Sequence, residues 1–342
     1  MGNLQVSVLT PVYNGEKHLQ EMVDSILRQT LQDFEFIIIN DGSTDGTEEI
    51  IKSYNDPRIR YFSNDKNRGI AYSFNRAIDL ANGNFLAVAE ADDVSHPRRL
   101  EIQAAYMQAN KNVGFVCSKQ RIFRDATVQF AKITAPQRIT HSAKQNKHGT
   151  VFYSTGVRHA SAMYRARTLN EHNVRYNPDY KIAGDHYIFT TLTSITAMVC
   201  LDCTLLHYRI HENNYSRNMV ETSREANAVY RKFFQKEFNF TMQGELVLGS
   251  EQISPANFVK HIAMINHILA HTSKHPNYDQ DLLVEAAAIR GYKSLKAVMK
   301  SGIGNKQVFH LYQKNQLLHH ISNSKKIKLW VKYFTWHLGI KR

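Results

Sequence analysis

Three carboxylates crowd into the four residues Glu90-Ala91-Asp92-Asp93, directly after the apolar run Phe85 to Ala89. Their mutual repulsion needs compensation, and hard oxygen ligands of this kind suit Mg2+ or Mn2+. Such an ion would hold a diphosphate and stabilise it as a leaving group. The competing reading is a capping loop, because Asp93 and Ser95 precede Pro97 and a helical pattern. Capping employs one of the three acids and leaves two unexplained.

Other polar clusters also follow apolar runs: Thr10-Pro11-Val12-Tyr13-Asn14, then Asn40 to Asp45, then Asn64 to Gly69. In an open α/β sheet, ligands lie beyond the carboxyl ends of the strands, so these loops and the acidic one should converge on one edge. The dinucleotide pattern G-x-G-x-x-G and the P-loop are both absent, which disfavours an NAD enzyme or an NTPase.

The elements that must carry these loops alternate in period. Val6 to Leu9, Phe34 to Ile39, Ile59 to Phe62, Phe85 to Ala89 and Val113 to Phe123 read as strands. Helical spacing occupies Glu16 to Arg28, a stretch to Tyr54 capped by Ser43 or Asp45, Gly69 to Leu80, and Pro97 to Gln108. This is βαβ repetition, and it predicts an open, mostly parallel sheet flanked by helices. Residues 125–157 are polar and weakly periodic; strand and helix signals return over 158–209. From Asn218 the chain reads as a helical extension, with a break near His271 to Tyr278.

At 342 residues, 43% hydrophobic and 21% charged, the chain is no collagen, disordered tract or disulfide scaffold. Cys117, Cys200 and Cys203 suit a reduced compartment, and the lone C-x-x-C has no second half and reads as strand residues. No apolar run approaches the roughly 20 residues of a spanning helix, and no signal-peptide pattern is present. A cytoplasmic protein is expected.

The formal charge of +13 is concentrated at one end. No acidic residue follows Glu285, while twelve Lys and Arg do. The segment Lys325 to Trp336 interleaves lysine with Leu, Tyr, Phe and both tryptophans of the chain, as an interfacial helix would. An anionic membrane surface is the favoured partner, an ordinary helix packed on the main domain the alternative. Arginine is scarce there and no nucleic-acid module is evident, so no nucleic-acid partner is expected.

The ordered motifs VSVLTPVYN, IIINDGSTDGT, NRGIAYSFNRAI and EADD before a proline and arginine, with the later segments around Asp185 and His211, resemble family 2 glycosyltransferases of the GT-A fold. The resemblance covers roughly residues 4–215. It implies a metal-dependent, inverting hexosyl transfer from a nucleoside-diphosphate sugar, with a UDP-sugar favoured because Asp41 as the anion would accept from the ring N–H of uracil or thymine. By resemblance Thr10, Pro11, Tyr13, Asp41 and Arg68 face the nucleotide, with Glu90 and Ala91 beside them; an Asx-turn at Asp41 and a solvated Arg68 are the plainer readings. Asp92 stands in the metal-ligand position. Glu90 replaces the commoner first aspartate and suits either ribose or a water-bridged ion.

Displacement with inversion needs a carboxylate on the acceptor side to take the hydroxyl proton. Glu171, Asp179, Asp185, Asp202 and Glu212 are available, and Gly184-Asp185 resembles the family's base, with a helix N-cap as the alternative. His159 resembles an acceptor-side residue or a lining of the donor-sugar pocket, with an ordinary core histidine as the alternative. His211, in Tyr208-Arg209-Ile210-His211, resembles a contact to diphosphate or metal. The implied architecture is a transferase domain over 1–235, divided into a nucleotide half 1–125 and an acceptor half 126–235, then a basic extension 236–342. The expected acceptor is a lipid-linked or other saccharide, in bacterial surface polysaccharide (O-antigen, lipopolysaccharide or capsule) synthesis at the cytoplasmic face of the inner membrane. Nucleotidyl transfer would require a Gly- and Arg-rich first loop, which is missing, and a non-catalytic membrane or polyanion adaptor would not need to keep Asp92 and Asp185.

Overall fold

A computed structural model describes residues 4–124, 158–212, 214, 219–242 and 255–272, with scattered residues between 278 and 298. The polar segment 125–157, most of the loop 212–218 and the basic tail 325–342 lie outside the described residues. The chain separates into two compact units, one closing at Met219 and the other holding the described residues from Val220 onward.

In the first unit the elements run β1 (Val6–Val12), α1 (Glu16–Leu27), β2 (Phe34–Asn40), α2 (Thr47–Lys52), β3 (Ile59–Ser63), α3 (Ile70–Leu80), β4 (Phe85–Val88), β5 (Val94–Ser95), α4 (Arg99–Ala109), β6 (Val113–Phe123), β7 (Met163–Arg165), α5 (Ala166–Glu171), α6 (Gly184–Thr193) and β8 (Ala197–Arg209). The described strands form one sheet of eight in the order β3-β2-β1-β4-β7-β6-β8-β5. β3, β2, β1 and β4 are parallel, as the βαβ pattern predicts. The other half is mixed. β7 inserts antiparallel between β4 and β6, β6 runs parallel to β8, and β5 returns antiparallel on β8.

Strand alternation divides the core into two layers. Phe34, Phe36 and Ile38 of β2 face α1 and α4 through Leu19, Met22, Val23, Ile26, Leu100 and Met107. Ile37 and Ile39 face α3 and α6 through Phe74, Ile78, Ile188 and Leu192. The sheet therefore has helices on both faces, and only its two edges remain for chemistry.

The second unit contains α7 (Met219–Phe238) and α8 (Pro255–Thr272). The expected boundary at residue 235 falls inside α7. Tyr230, Phe233, Phe234 and Phe238 form an aromatic cluster along that helix. Tyr278 donates to Glu237 at 2.7 Å, and His267 meets the Phe238 carbonyl at 3.1 Å. No helix among the described residues is long and apolar enough to cross a membrane.

Candidate active site

The carboxyl ends of β1, β2 and β3 gather the first predicted residues. Thr10 is buried and donates from Oγ1 to the Ala89 carbonyl at 2.8 Å, tying β1 to the chain leaving β4. Pro11 is half-buried and Tyr13 is exposed. Asn14, at φ 51, donates from its backbone N–H to Ser43 Oγ at 2.9 Å and accepts from the Thr44 N–H at 2.9 Å, locking the first two loops together. Gly42 has φ +73, and a Cβ there would sit 2.6 Å from the Lys66 backbone, so the approach of the second and third loops requires glycine.

Asp41 is buried and accepts three hydrogen bonds: Asn64 Nδ2 at 2.6 Å, the Arg68 N–H at 2.9 Å and the Gly69 N–H at 2.9 Å. It therefore anchors the 67–69 loop, and about one of a carboxylate's four acceptor positions stays open. The Arg68 guanidinium turns outward to Asp65 at 3.0 Å and lies over Tyr72.

Beyond β4 the acidic triplet forms a tight group. One oxygen from each of Glu90, Asp92 and Asp93 lies within 4.8 Å of the others. Pairing of β5 with β8, Val94 opposite His207, brings this turn beside the end of β8. Asp92 Oδ2 meets His211 Nε2 at 2.8 Å and accepts from Asn214 Nδ2 at 3.2 Å. Arg209 donates its backbone N–H to Asp93 Oδ1 and its Nε–H to the Asp92 carbonyl, both at 2.9 Å, and pairs with Glu21. Ala91 packs against the core below.

The group is short of donors. Asp93 is buried and its Oδ2 has no hydrogen-bond partner among the described residues. Burial pushes the Asp93 carboxyl well above its ordinary range, and the charges of Glu90 and Asp92 add to the rise. Burial and Glu90 likewise raise Asp92, against the pull of His211. A second buried cation, Arg99, spends its hydrogen bonds on the Val88 carbonyl at 2.6 Å, Ser95 Oγ at 3.1 Å and Gln103 Oε1 at 3.1 Å. Burial brings its pKa to about 10, opposed by the charges of Asp93 and Glu90. Three hard oxygen ligands with an unpartnered buried oxygen among them fit a divalent cation.

On the acceptor side, Asp185 is the first-turn acid of α6, with Oδ1 accepting from the His186 N–H at 2.8 Å. Among the other acids of this region, Asp202 pairs with Lys119, Glu171 pairs with Arg167 at 2.6 Å, and Asp179 is exposed. The start of α6 approaches a neighbour of the acidic turn: a Cβ on Gly184 would lie 3.6 Å from Tyr176 Cδ1. Burial raises the Tyr176 phenol, and the charges of Asp185 and Glu90 both raise it further. His159 stands between, with Nδ1 on Glu90 Oε1 at 2.9 Å and Nε2 on the Tyr176 hydroxyl at 2.7 Å.

Sequence reasoning overlooked His18, Asn75, Tyr176 and Arg209. Arg209 adjoins the predicted His211 and was visible in that segment. Asn75 and Tyr176 are 101 residues apart and paired through the backbone of Tyr176, which no local pattern reveals. The His18 ring lies 5.0 Å from that of His211, and its buried Nε2 has no hydrogen-bond partner among the described residues.

Residues 7–172 match the family Glycosyl transferase family 2. This stretch is a family 2 glycosyltransferase domain. One similar protein is the UDP-Glc:alpha-D-GlcNAc-diphosphoundecaprenol beta-1,3-glucosyltransferase WfgD of Escherichia coli. It is 26% identical over 220 residues, spanning 64% of this chain and 82% of that protein. Among solved structures, S. aureus TarS 1-349 in complex with UDP-GlcNAc aligns at TM-score 0.54 and 17% identity over 91% of this chain and 92% of that one. The mannosyltransferase PcManGT from Pyrobaculum calidifontis, in complex with GDP-Man and Mn2+, aligns at TM-score 0.52 and 15% identity over 98% and 88%. At these identities the structures establish the shared GT-A fold of the glycosyltransferase.

Proposed function

We propose that the protein transfers a hexosyl group, with inversion, from a nucleoside-diphosphate sugar to a hydroxyl of a saccharide acceptor. The observation that carries this reading is an acidic turn with an unpartnered buried oxygen on Asp93, whose Glu90 reaches Tyr176 through His159, while the Gly184-Asp185 start of α6 lies against the same ring, a Cβ on Gly184 meeting Tyr176 Cδ1 at 3.6 Å. Asp92 and Asp93, with Glu90 or His211 beside them, are the residues that would hold Mn2+ or Mg2+. When bound, the ion supplies positive charge against the diphosphate as it departs. PcManGT, a protein of the same fold solved with GDP-Man and Mn2+, supports this reading.

Asp185 takes the proton of the acceptor hydroxyl. The hydroxyl oxygen bonds to the anomeric carbon as the bond from that carbon to the diphosphate breaks, and the electron pair leaves with the diphosphate. Asp41, with one acceptor position open among three N–H donors, reads the nucleobase, and Thr10, Pro11, Tyr13 and Arg68 surround it. This arrangement favours a UDP-sugar, in keeping with the UDP-Glc in the name of WfgD and the UDP-GlcNAc bound to TarS.

The name of WfgD also supports a lipid-linked acceptor, and that of the putative teichuronic acid biosynthesis glycosyltransferase TuaG of Bacillus subtilis, 28% identical over 238 residues, supports a place in surface polysaccharide synthesis. The lysine- and tryptophan-bearing segment 325–342 supports binding to the cytoplasmic face of the membrane. The decisive experiment is a thermal-shift panel of UDP, dTDP, GDP and CDP sugars with and without Mn2+. A Mn2+-dependent shift confined to one nucleotide is expected. Asp185→Asn should keep that shift and lose transfer by about 10²- to 10⁴-fold; full activity in Asp185→Asn would overturn its role as base. Removing 325–342 should reduce association with anionic liposomes more than turnover on a soluble acceptor, and equal vesicle binding would end the membrane proposal.

A further inference from the structure

His159 has both ring nitrogens committed. Nδ1 lies 2.9 Å from Glu90 Oε1 and Nε2 lies 2.7 Å from the Tyr176 hydroxyl. The polarity of this chain follows from its ends. A carboxylate can only accept, so Nδ1 carries the proton, and in that tautomer Nε2 accepts from the Tyr176 O–H. The Tyr176 oxygen in turn lies 3.3 Å from the Tyr164 hydroxyl, which can donate to it. Every donor in the series has a partner.

The series is also held from outside. Asn75 of α3 grips both backbone groups of residue 176, donating to its carbonyl and accepting from its N–H, each at 2.8 Å. Phe74 stacks on the Tyr176 ring at 4.9 Å and 21°, and meets His159 edge-on at 5.3 Å and 90°. Tyr176 and Phe74 are buried, so neither ring has another position available without unpacking the layer under α3 and α6. Glu90 is thereby fixed through one oxygen, while Oε2 has no hydrogen-bond partner among the described residues and the side chain is 30% exposed.

We propose that His159 is a positioning residue for Glu90, with Tyr176 as its support, and not a ligand of the acceptor. The device resembles in its physics the outer partners that orient metal-site ligands, where fixing the tautomer and angle of one group sets the aim of the next. It rests on the transferase reading above. His159 and Tyr176, on the segment that leads to Asp185, together hold the Glu90 carboxylate at the donor side, with Asn75 of α3 anchoring them.

The test uses the full chain and UDP with Mn2+ as the probe. His159→Ala should weaken Mn2+-dependent UDP binding about 10-fold or more, as loss of an outer partner does. His159→Asn places an amide N–H close to where Nδ1–H stood and should recover most of that loss. Tyr176→Phe should weaken binding in the native background and add nothing in His159→Ala, because both act through one path. A second readout needs no ligand: the 15N-detected imidazole of His159 should carry a proton on Nδ1 in the metal-free protein, and Tyr176→Phe should shift its Nε2 resonance. Native-like UDP–Mn2+ binding in a folded His159→Ala, full additivity of the two substitutions, or an Nε2–H tautomer would each overturn the proposal. A native chain that gives no Mn2+-dependent response to UDP would instead overturn the donor assignment beneath it, while an Nδ1–H tautomer sensitive to Tyr176→Phe would still support the chain itself.

Discussion

The two edges of the parallel half-sheet carry buried acids in opposite circumstances. At the amino edge Glu35, early in β2, accepts from Ser7 Oγ at 2.5 Å, the Asn82 N–H at 2.6 Å, Asn82 Nδ2 at 3.2 Å and Arg60. Burial pushes its carboxyl up, yet the hydrogen bonds from Ser7, Asn82 and Arg60 more than offset this, and its pKa falls below the ordinary glutamate value. At the carboxyl edge Asp93 has one backbone donor and a bare buried oxygen, and its carboxyl is held well up. Burial is similar; donor supply differs. A fold that satisfies an acid at one edge, and at the other crowds three acids together with a buried Asp93 oxygen left unpartnered among the described residues, reserves that second place for a charge it does not itself contain.

The comparison breaks most visibly if the two edges are neutralised in turn. Asp92→Asn should abolish the Mn2+-dependent thermal shift with UDP while leaving the metal-free protein at least as stable as before. Glu35→Gln should do the reverse, costing about 3 kcal/mol in urea unfolding because it breaks a buried, charge-assisted network. UDP–Mn2+ affinity should be untouched. If Glu35→Gln weakens UDP binding as much as Asp92→Asn does, the division of labour between the edges is wrong.

The pH dependence of stability sharpens the same contrast. Asp92 and Asp93 bind a proton more tightly folded than unfolded, since their folded values lie above the ordinary 3.8. Their contribution is therefore complete below that value and is lost as pH rises through the folded values. Glu35, held below 4.5, contributes above its unfolded value and loses that contribution as pH falls. The metal-free protein should lose stability from about pH 4 upward on account of the carboxyl edge, and Mn2+ should restore it by binding the folded state alone. Asp93→Asn should flatten that loss. Denaturant midpoints collected between pH 4 and 8 with and without Mn2+ decide the matter, and an unchanged slope in Asp93→Asn would remove Asp93 from the account.

Legibility in the sequence follows the same geography. β1 to β4 and helices α1, α3 and α4 carry long periodic signals, and their bounds agree with the expected ones to within a few residues. β5 and β7 have two and three residues, too short for any period, and the antiparallel insertion of β7 between β4 and β6 was invisible for that reason. Glu90, Asp92, Asp41 and Asp185 stand out as candidates because acids at strand ends and helix starts are locally conspicuous, and their roles come from the family resemblance. The groups that aim or compensate them do not stand out. Tyr176 acquires its position from Asn75 in a distant helix, and Arg209 reaches Asp93 from the far end of β8. Sequence patterns report which residues border the sheet edge, and tertiary packing decides which of them are supplied with partners.

A third acid separates donor supply from burial with the smallest expected effect. Glu101, in the first turn of α4, accepts from Arg98 Nε at 3.0 Å, Arg98 Nη2 at 2.7 Å and Thr30 Oγ1 at 2.7 Å, with its side chain 39% exposed. The Arg98 and Thr30 hydrogen bonds hold its carboxyl down at about 2. Its contribution is present above the ordinary 4.5 and disappears as pH falls toward about 2. Water screens this pair, so Glu101→Gln should cost under about 1 kcal/mol at neutral pH. It should also remove part of the acid limb of the stability curve and leave the limb above pH 4 as it was. Should Glu101→Gln destabilise as strongly as Glu35→Gln, donor supply alone would govern these acids. The burial shared by Glu35 and Asp93 would then have no part in making one edge structural and the other a place for a cation.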